Sequence, residues 1–249
     1  MNFFGHAVVA SWEAKAPGFV LGAMLPDFAT MSETRLAEVD HPELSAGIAL
    51  HHRTDRVFHA APHFLALCRE ARGALLARGL GRGHAHAVGH VGIELLLDGW
   101  LVKQQKAREA YAAALRCGRH QELGRQIRWL DEEGRARWRS LRRRLERHGP
   151  PEDYRDPTLV ASTVERILRG RPRLALDAPR LEITARYLPE LQQVVQARAA
   201  LLIGEVRQGL TEEIDTPVQT PRGTPASRGR PRAPSPANGS GLPRGSRER

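Results

Sequence analysis

Cysteine is nearly absent from this 249-residue chain: Cys68 and Cys117 stand far apart, with no partner motif. That argues against a disulfide framework and against a Cys-type zinc site. Both thiols read as interior or half-buried groups in a reducing compartment. Lysine is scarce as well, with only Lys15, Lys103 and Lys106 among 38 basic residues. The arginine bias, with abundant Ala and Gly, fits a GC-rich coding sequence better than a phosphate-binding design. No run of 18 apolar residues occurs, so no membrane span is expected. The opening MNFFGHAVVASWEAK has no basic region before its apolar stretch, and His6, Glu13 and Lys15 interrupt it. A signal peptide is therefore not expected, and the predicted location is cytoplasmic. There is no Gly-rich phosphate loop, no Gly-x-Ser-x-Gly elbow and no His-Glu-x-x-His.

The charge is unevenly distributed. The formal net charge is +10, yet residues 216–249 carry seven Arg against the single acid Glu248. The remainder is only mildly basic, and a nucleic-acid partner is not expected. The Pro, Gly, Ser and Arg of this tail cannot bury enough apolar surface to offset the entropy of ordering. The chain is thus expected to be one helical domain over 1–210, with a disordered tail over 211–249.

Before the tail the periodicity is helical almost throughout. Helices are expected over about 42–58, 63–78, 84–116 (one helix or a close pair), 119–147, 157–169 and 180–209. Asp40 or His41 would cap the first of these, with Pro42 at a favoured early position. Gly79 would end the second, and Gly81 to Gly83, with His84, reads as a loop. The Arg-rich 119–147 stretch reads as an exposed helix or hairpin whose basic face suits an acidic protein partner, or else is simply solvated. No alternating run demands a sheet, so the expected class is all-α.

Eleven histidines invite a search for metal ligands. His120 and His148 sit in polar Arg-rich stretches and read as exposed. The informative stretch is His51-His52-Arg53-Thr54-Asp55. Residues four apart share a helix face, so His51 and Asp55 can aim an imidazole and a carboxylate at one point. His52, Asp55 and His59 offer an overlapping set, and a surface ion pair is the plain alternative. A second i,i+4 pair, His90 and Glu94, lies in a strongly apolar helix. A buried acid there needs a neutralising partner, either a metal ion or an Arg from elsewhere. With His86 and Asp98, the pair forms a polar stripe pointing to a site between helices. His6 in an apolar helix reads as a core histidine or a ligand, and Asp27 as an N-cap or a site residue. Lacking a convincing nucleophile, the chain suits hydrolysis by metal-activated water, with Arg53 clamping a phosphate.

Four segments resemble the bacterial acyl carrier protein phosphodiesterases (holo-acyl-carrier-protein hydrolases). Met1-Asn2-Phe3-Phe4-Gly5-His6 is similar to that family's Met-Asn-Phe-Leu-Ala-His start, and Gly22 through Leu25-Pro26-Asp27-Phe28 resembles its Gly-x-Leu-x-Ala-Asp-Phe segment. Gly47-Ile48-Ala49-Leu50-His51-His52-Arg53-Thr54-Asp55 resembles its Gly-Ile-x-x-His-Arg-x-Ile-Asp helix, and Arg169-Gly170-Arg171-Pro172-Arg173-Leu174 its Arg-Arg-Pro-Arg-Leu stretch. The order holds over roughly 1–205.

The resemblance implies a helical bundle related to the His-Asp metal-dependent phosphohydrolases. It implies a divalent cofactor, manganese first, with iron and zinc as alternatives, and release of 4′-phosphopantetheine from holo-acyl carrier protein. It selects His51 over His52 and gives the ligand set His6, Asp27, His51, Asp55, His90 and Glu94, with Asp27, Asp55 and Arg53 in catalysis. The chain departs from the family at the third motif, where His90 and Glu94 replace two acids and the family's Trp-Asp-His-Phe context is Ile93-Glu94-Leu95-Leu96. Two other functions therefore stay open: another helical phosphoester hydrolase, similar to the zinc-dependent phospholipases C but without an aromatic-rich anchor, and a non-catalytic helical interaction protein.

Overall fold

The computed structural model describes residues 1–13, 16–119 and 121–215. The expectations for His120 and for the tail beyond 215 lie outside the described residues. The described part is mostly helical: ten α-helices, one 3-10 turn and a two-stranded sheet. No described helix is long and apolar enough to cross a membrane.

Helices α1 (Phe3–Ser11) and α2 (Pro17–Met31) form the centre, and every residue of α1 is buried. Helix α3 (Pro42–Ala60) starts as its sequence suggests, with His41 at the N-cap, Pro42 in the first turn and the His41 side chain accepting from Leu44 N. Glycine sets how closely α2 and α3 approach. A Cβ at Gly22 would collide with the Leu44 backbone, and one at Gly47 with Phe19 and Gly22. Only hydrogen at these positions lets the two backbones touch.

Helix α4 (Pro62–Ala77) ends before Gly79, whose φ of +95° suits glycine. The 84–116 pattern resolves into a pair, α5 (Arg82–Leu101) and α6 (Gln105–Cys117). His84 is a correction: it lies in the first turn of α5, because Gly81 serves as N-cap and the helix begins at Arg82. Helices α9 (Pro157–Arg169) and α10 (Ala178–Asp215) complete the bundle. Helix α10 continues five residues past the expected boundary at 210. Buried Leu210 anchors it there, with Gln208 Nε2 donating to Glu212 Oε1 at 2.8 Å.

The Arg-rich 119–147 stretch is neither one helix nor a helical hairpin. It contains helix α7 (Gln121–Gln126), strand β2 (Ile127–Trp129) and helix α8 (Glu132–His148), with the Asp131 side chain capping α8 at Gly134 N. Strand β2 pairs antiparallel with β1 (Leu36–Val39), with Val39 opposite Ile127 and Leu36 opposite Trp129. Strands of four and three residues are too short for alternation to show in sequence. Trp129 packs tilted against Trp138, which stacks on Phe28 with ring centroids 5.1 Å apart.

Candidate metal centre

Three helices bring the sequence-predicted ligands together. His6 projects from α1, Asp27 from α2, and His51 and Asp55 from α3. One ligand atom each from His6, Asp27 and His51 forms a group whose members all lie within 4.8 Å of one another. His6 Nε2 lies 3.2 Å from Asp55 Oδ1 and 3.9 Å from Asp27 Oδ2, and His51 Nε2 lies 3.5 Å from Asp55 Oδ2. The His6 and His51 rings stack with centroids 3.9 Å apart. Asp27 is not an N-cap; it sits inside α2, directly after Pro26.

The close α2–α3 approach fixes His51. Its Nδ1 lies 2.9 Å from the Ala23 carbonyl, which can only accept, so Nδ1 carries the proton. Nε2 then turns a lone pair toward the carboxylates, an arrangement common among metal-ligating histidines. His51 is buried while His52 is exposed, so the surface ion-pair alternative does not describe this pair.

His90 and Glu94, from α5, stand beside this group. His90 Nε2 lies 3.2 Å from Glu94 Oε1, and His59 Nε2 of α3 lies 3.3 Å from the same oxygen. No Arg is among the described partners of Glu94; its positive partner is the Met1 amino group at 3.0 Å. That amino group lies 3.0 Å from Asp55 Oδ1 as well. The six expected ligands therefore share one region, and His59 joins them. Its signal in the sequence is the i,i+4 spacing from Asp55.

One residue of the polar stripe has a structural place, and one expectation is corrected. Asp98 continues the stripe of α5. It is fully buried and accepts from Gly5 N at 2.8 Å, Phe4 N at 3.3 Å and Asn2 Nδ2 at 2.8 Å. It thereby caps α1 from another helix and sets where Met1 and His6 lie. Arg53, expected to clamp a phosphate, is two residues from both His51 and Asp55 and so projects from the far side of α3. Its Nη2 donates to the Leu210 carbonyl at 3.1 Å.

Burial and charge compete throughout the site. Desolvation lowers His51 to about 3, helped by His6, and lowers His6 too, which favours the neutral rings. Burial raises Asp27 well above the usual carboxylate range, with Asp55 and Glu94 adding to it. Burial also pushes on Asp55 and Glu94. There the Met1 ammonium and the histidine hydrogen bonds win, and both carboxyls fall below their usual range. Burial raises Asp98 to about 8 against the pull of its three donors. The carboxyls of Asp27, Asp55 and Glu94 all lie in the field of the one Met1 ammonium.

The fit to a divalent ion can be tested on orphaned atoms. His6 Nδ1 and Asp27 Oδ2 are buried without a hydrogen-bond partner among the described residues. An unpaired buried polar atom costs about 1–3 kcal/mol. Orphans inside a group of two imidazoles and a carboxylate are what a site shaped for a cation presents. That donor set suits Mn, Fe or Zn. The site opens to solvent on one side, with the Asp27 and Asp55 side chains 26% and 34% exposed.

A separate basic cleft of about 360 Å³ lies at α7, β2 and α8, lined by Arg119, Arg125, Arg135, Arg139, Arg142 and Arg143 around Trp129 and Trp138. Glu146 neutralises Arg119 and Arg142, whereas Arg125, Arg139 and Arg143 have no acidic partner among the described residues.

No family profile, curated protein or solved structure matches the chain.

Proposed function

We propose that the protein is a metal-dependent phosphodiester hydrolase, related to the His-Asp phosphohydrolases, that releases 4′-phosphopantetheine from holo-acyl carrier protein or cleaves a related phosphoester. The observation that carries this reading is the convergence of His6, Asp27 and His51, with Asp55 beside them, and the two buried atoms there, His6 Nδ1 and Asp27 Oδ2, that have no hydrogen-bond partner among the described residues. Convergence is what a non-catalytic helical scaffold would have no reason to keep.

His6, Asp27, His51 and Asp55 would hold the ion. When bound, a divalent ion neutralises charge on a phosphoryl oxygen and makes water more acidic. The chain's own residues do the rest. The Ala23 carbonyl locks the His51 tautomer. Asp55, held ionised and partly open to solvent, can orient an attacking water by accepting its hydrogen bond. Asp98 holds α1 so that His6 stays in register. Arg53 faces α10, so the ion rather than an Arg53 clamp must balance phosphate charge.

The unpaired arginines of the basic cleft support an acidic protein as substrate carrier. The His90 and Glu94 departures support the second reading, a phosphoester other than phosphopantetheine. Incubating the manganese-loaded protein with holo-acyl carrier protein separates the two. The expected result is a mass loss equal to phosphopantetheine. No release with Mn, Fe or Zn, alongside hydrolysis of a small phosphodiester, supports the second reading. No hydrolysis of either rules out the hydrolase.

A further inference from the structure

We infer that His59, His90 and Glu94 form a second metal-binding site, next to the first, so that the chain builds a two-metal centre. The site stands on its own donors; its role in hydrolysis rests on the function proposed above.

The geometry is that of a ligand set. One atom from each of the three residues lies within 4.8 Å of the others. His59 comes from α3 and the i,i+4 pair His90 and Glu94 from α5, so two rigid helices hold the site. The two imidazoles lie nearly parallel, 15° apart with centroids at 5.2 Å, and the Phe64 ring braces both edge-on at 5.3 and 5.2 Å. Ligands on a tetrahedral zinc at roughly 2.0–2.1 Å sit about 3.3 Å apart. The Nε2 to Oε1 separations are 3.3 Å from His59 and 3.2 Å from His90.

The other ring nitrogen of His59 orients it for this role. His59 Nδ1 lies 2.8 Å from the Asp55 carbonyl, an acceptor only, so Nδ1–H donates there. In the neutral ring Nε2 is then an acceptor. It faces Glu94 Oε1 at 3.3 Å, the separation that two ligands of one cation show. The Nδ1–carbonyl bond is the same device that aims His51, and metal-ligating histidines are commonly oriented in this way.

Charge leads to the same place. Glu94 is mostly buried, with 16% of its side chain exposed, and it shares its one ammonium partner with Asp55. Two carboxylates drawing on one nitrogen leave a deficit of positive charge between the two donor groups. A set of two imidazoles and one carboxylate takes Zn most readily and accepts Mn or Fe. Two ions side by side clamp both the attacking and the leaving oxygen of a phosphoester displacement.

The test is a titration of the metal-stripped full chain with Zn²⁺ or Mn²⁺ alone, read by elemental analysis. The wild type is expected to take up two equivalents. His59→Gln with Glu94→Gln is expected to retain one, and His51→Gln with Asp27→Asn to retain the other. One equivalent in the wild type that survives the 59/94 change overturns the second site and leaves the hydrolase site standing. One equivalent lost only through the 59/94 change does the reverse. A variant that fails to fold does not blunt the test, because manganese-loaded wild type should show an exchange-coupled electron paramagnetic resonance signal. An uncoupled signal at saturation overturns the paired centre.

Discussion

Asp27 is the residue on which function and stability pull hardest against each other. Its carboxyl is pushed up by burial, and one of its oxygens has no partner. In the metal-free protein Asp27→Asn removes a carboxyl whose ionised form burial disfavours. It should therefore raise the melting temperature, by roughly 2–4 °C for about 1 kcal/mol in a chain of this size. With saturating Mn²⁺ the order should reverse, because wild type gains binding energy that the variant has lost. Thermal scans of both proteins, with and without metal, check this. A variant less stable in both states would mean that Asp27 is a structural residue. His51 predicts the pH dependence. Its folded value, about 3, lies below the ordinary 6.5. Its contribution is thus complete above pH 6.5 and is lost as pH falls toward 3. Asp27 works in the opposite sense, being raised: its contribution is lost as pH rises through its folded value. Comparing metal-free wild type with His51→Gln isolates the histidine. Between about pH 7 and 4 the wild type should lose stability more steeply than the variant, measured by denaturant midpoints.

At the level of elements, the α2–α3 contact is the support of the site. Gly22 and Gly47 let the helices touch, and that contact puts the Ala23 carbonyl on His51. Gly47→Ala inserts a methyl group into backbone and should cost about 1–3 kcal/mol. If the helices part instead of straining, His51 loses its orienting partner, and metal affinity should drop roughly 10–100-fold. Chemical denaturation and metal titration measure the two separately. Helix α8 gives a different prediction. The paired change Arg139→Glu with Arg143→Glu reverses exposed charge in the basic cleft and touches none of the metal ligands. It should lower kcat/KM on holo-acyl carrier protein about tenfold at low salt, an effect of long-range steering. Hydrolysis of a small neutral-flanked diester should be unchanged. Equal losses on both substrates would remove the cleft from substrate capture.

For the whole molecule, residues Met1–Asp215 form one compact unit. A chain ending at Asp215 should melt cooperatively at the full-length temperature and bind the same metal, as read by calorimetry and elemental analysis. Loss of the cooperative transition would show that the unit needs the remaining 34 residues. Much of this architecture is legible in the residues. Pro42, Gly79 and Pro62 mark helix ends, and the apolar period of α3 and α4 carries information over a few turns. The sheet is not legible, since β1 and β2 lie some 90 residues apart and each is shorter than one clear alternation.

Local pattern by itself determined the helical class and the two i,i+4 pairs, His51 with Asp55 and His90 with Glu94. A helix repeat fixes which residues four apart share a face, whatever the rest of the chain does. Tertiary structure alone decided which face looks inward and what meets it there. It chose His51 over His52 independently of any resemblance, by setting the Ala23 carbonyl against its Nδ1. It turned Arg53 toward α10, gave Asp98 to the first turn of α1 and set His59 beside His90 and Glu94. These outcomes depend on contacts between residues up to 157 positions apart, and periodicity, which reaches only a few turns, carries no record of them.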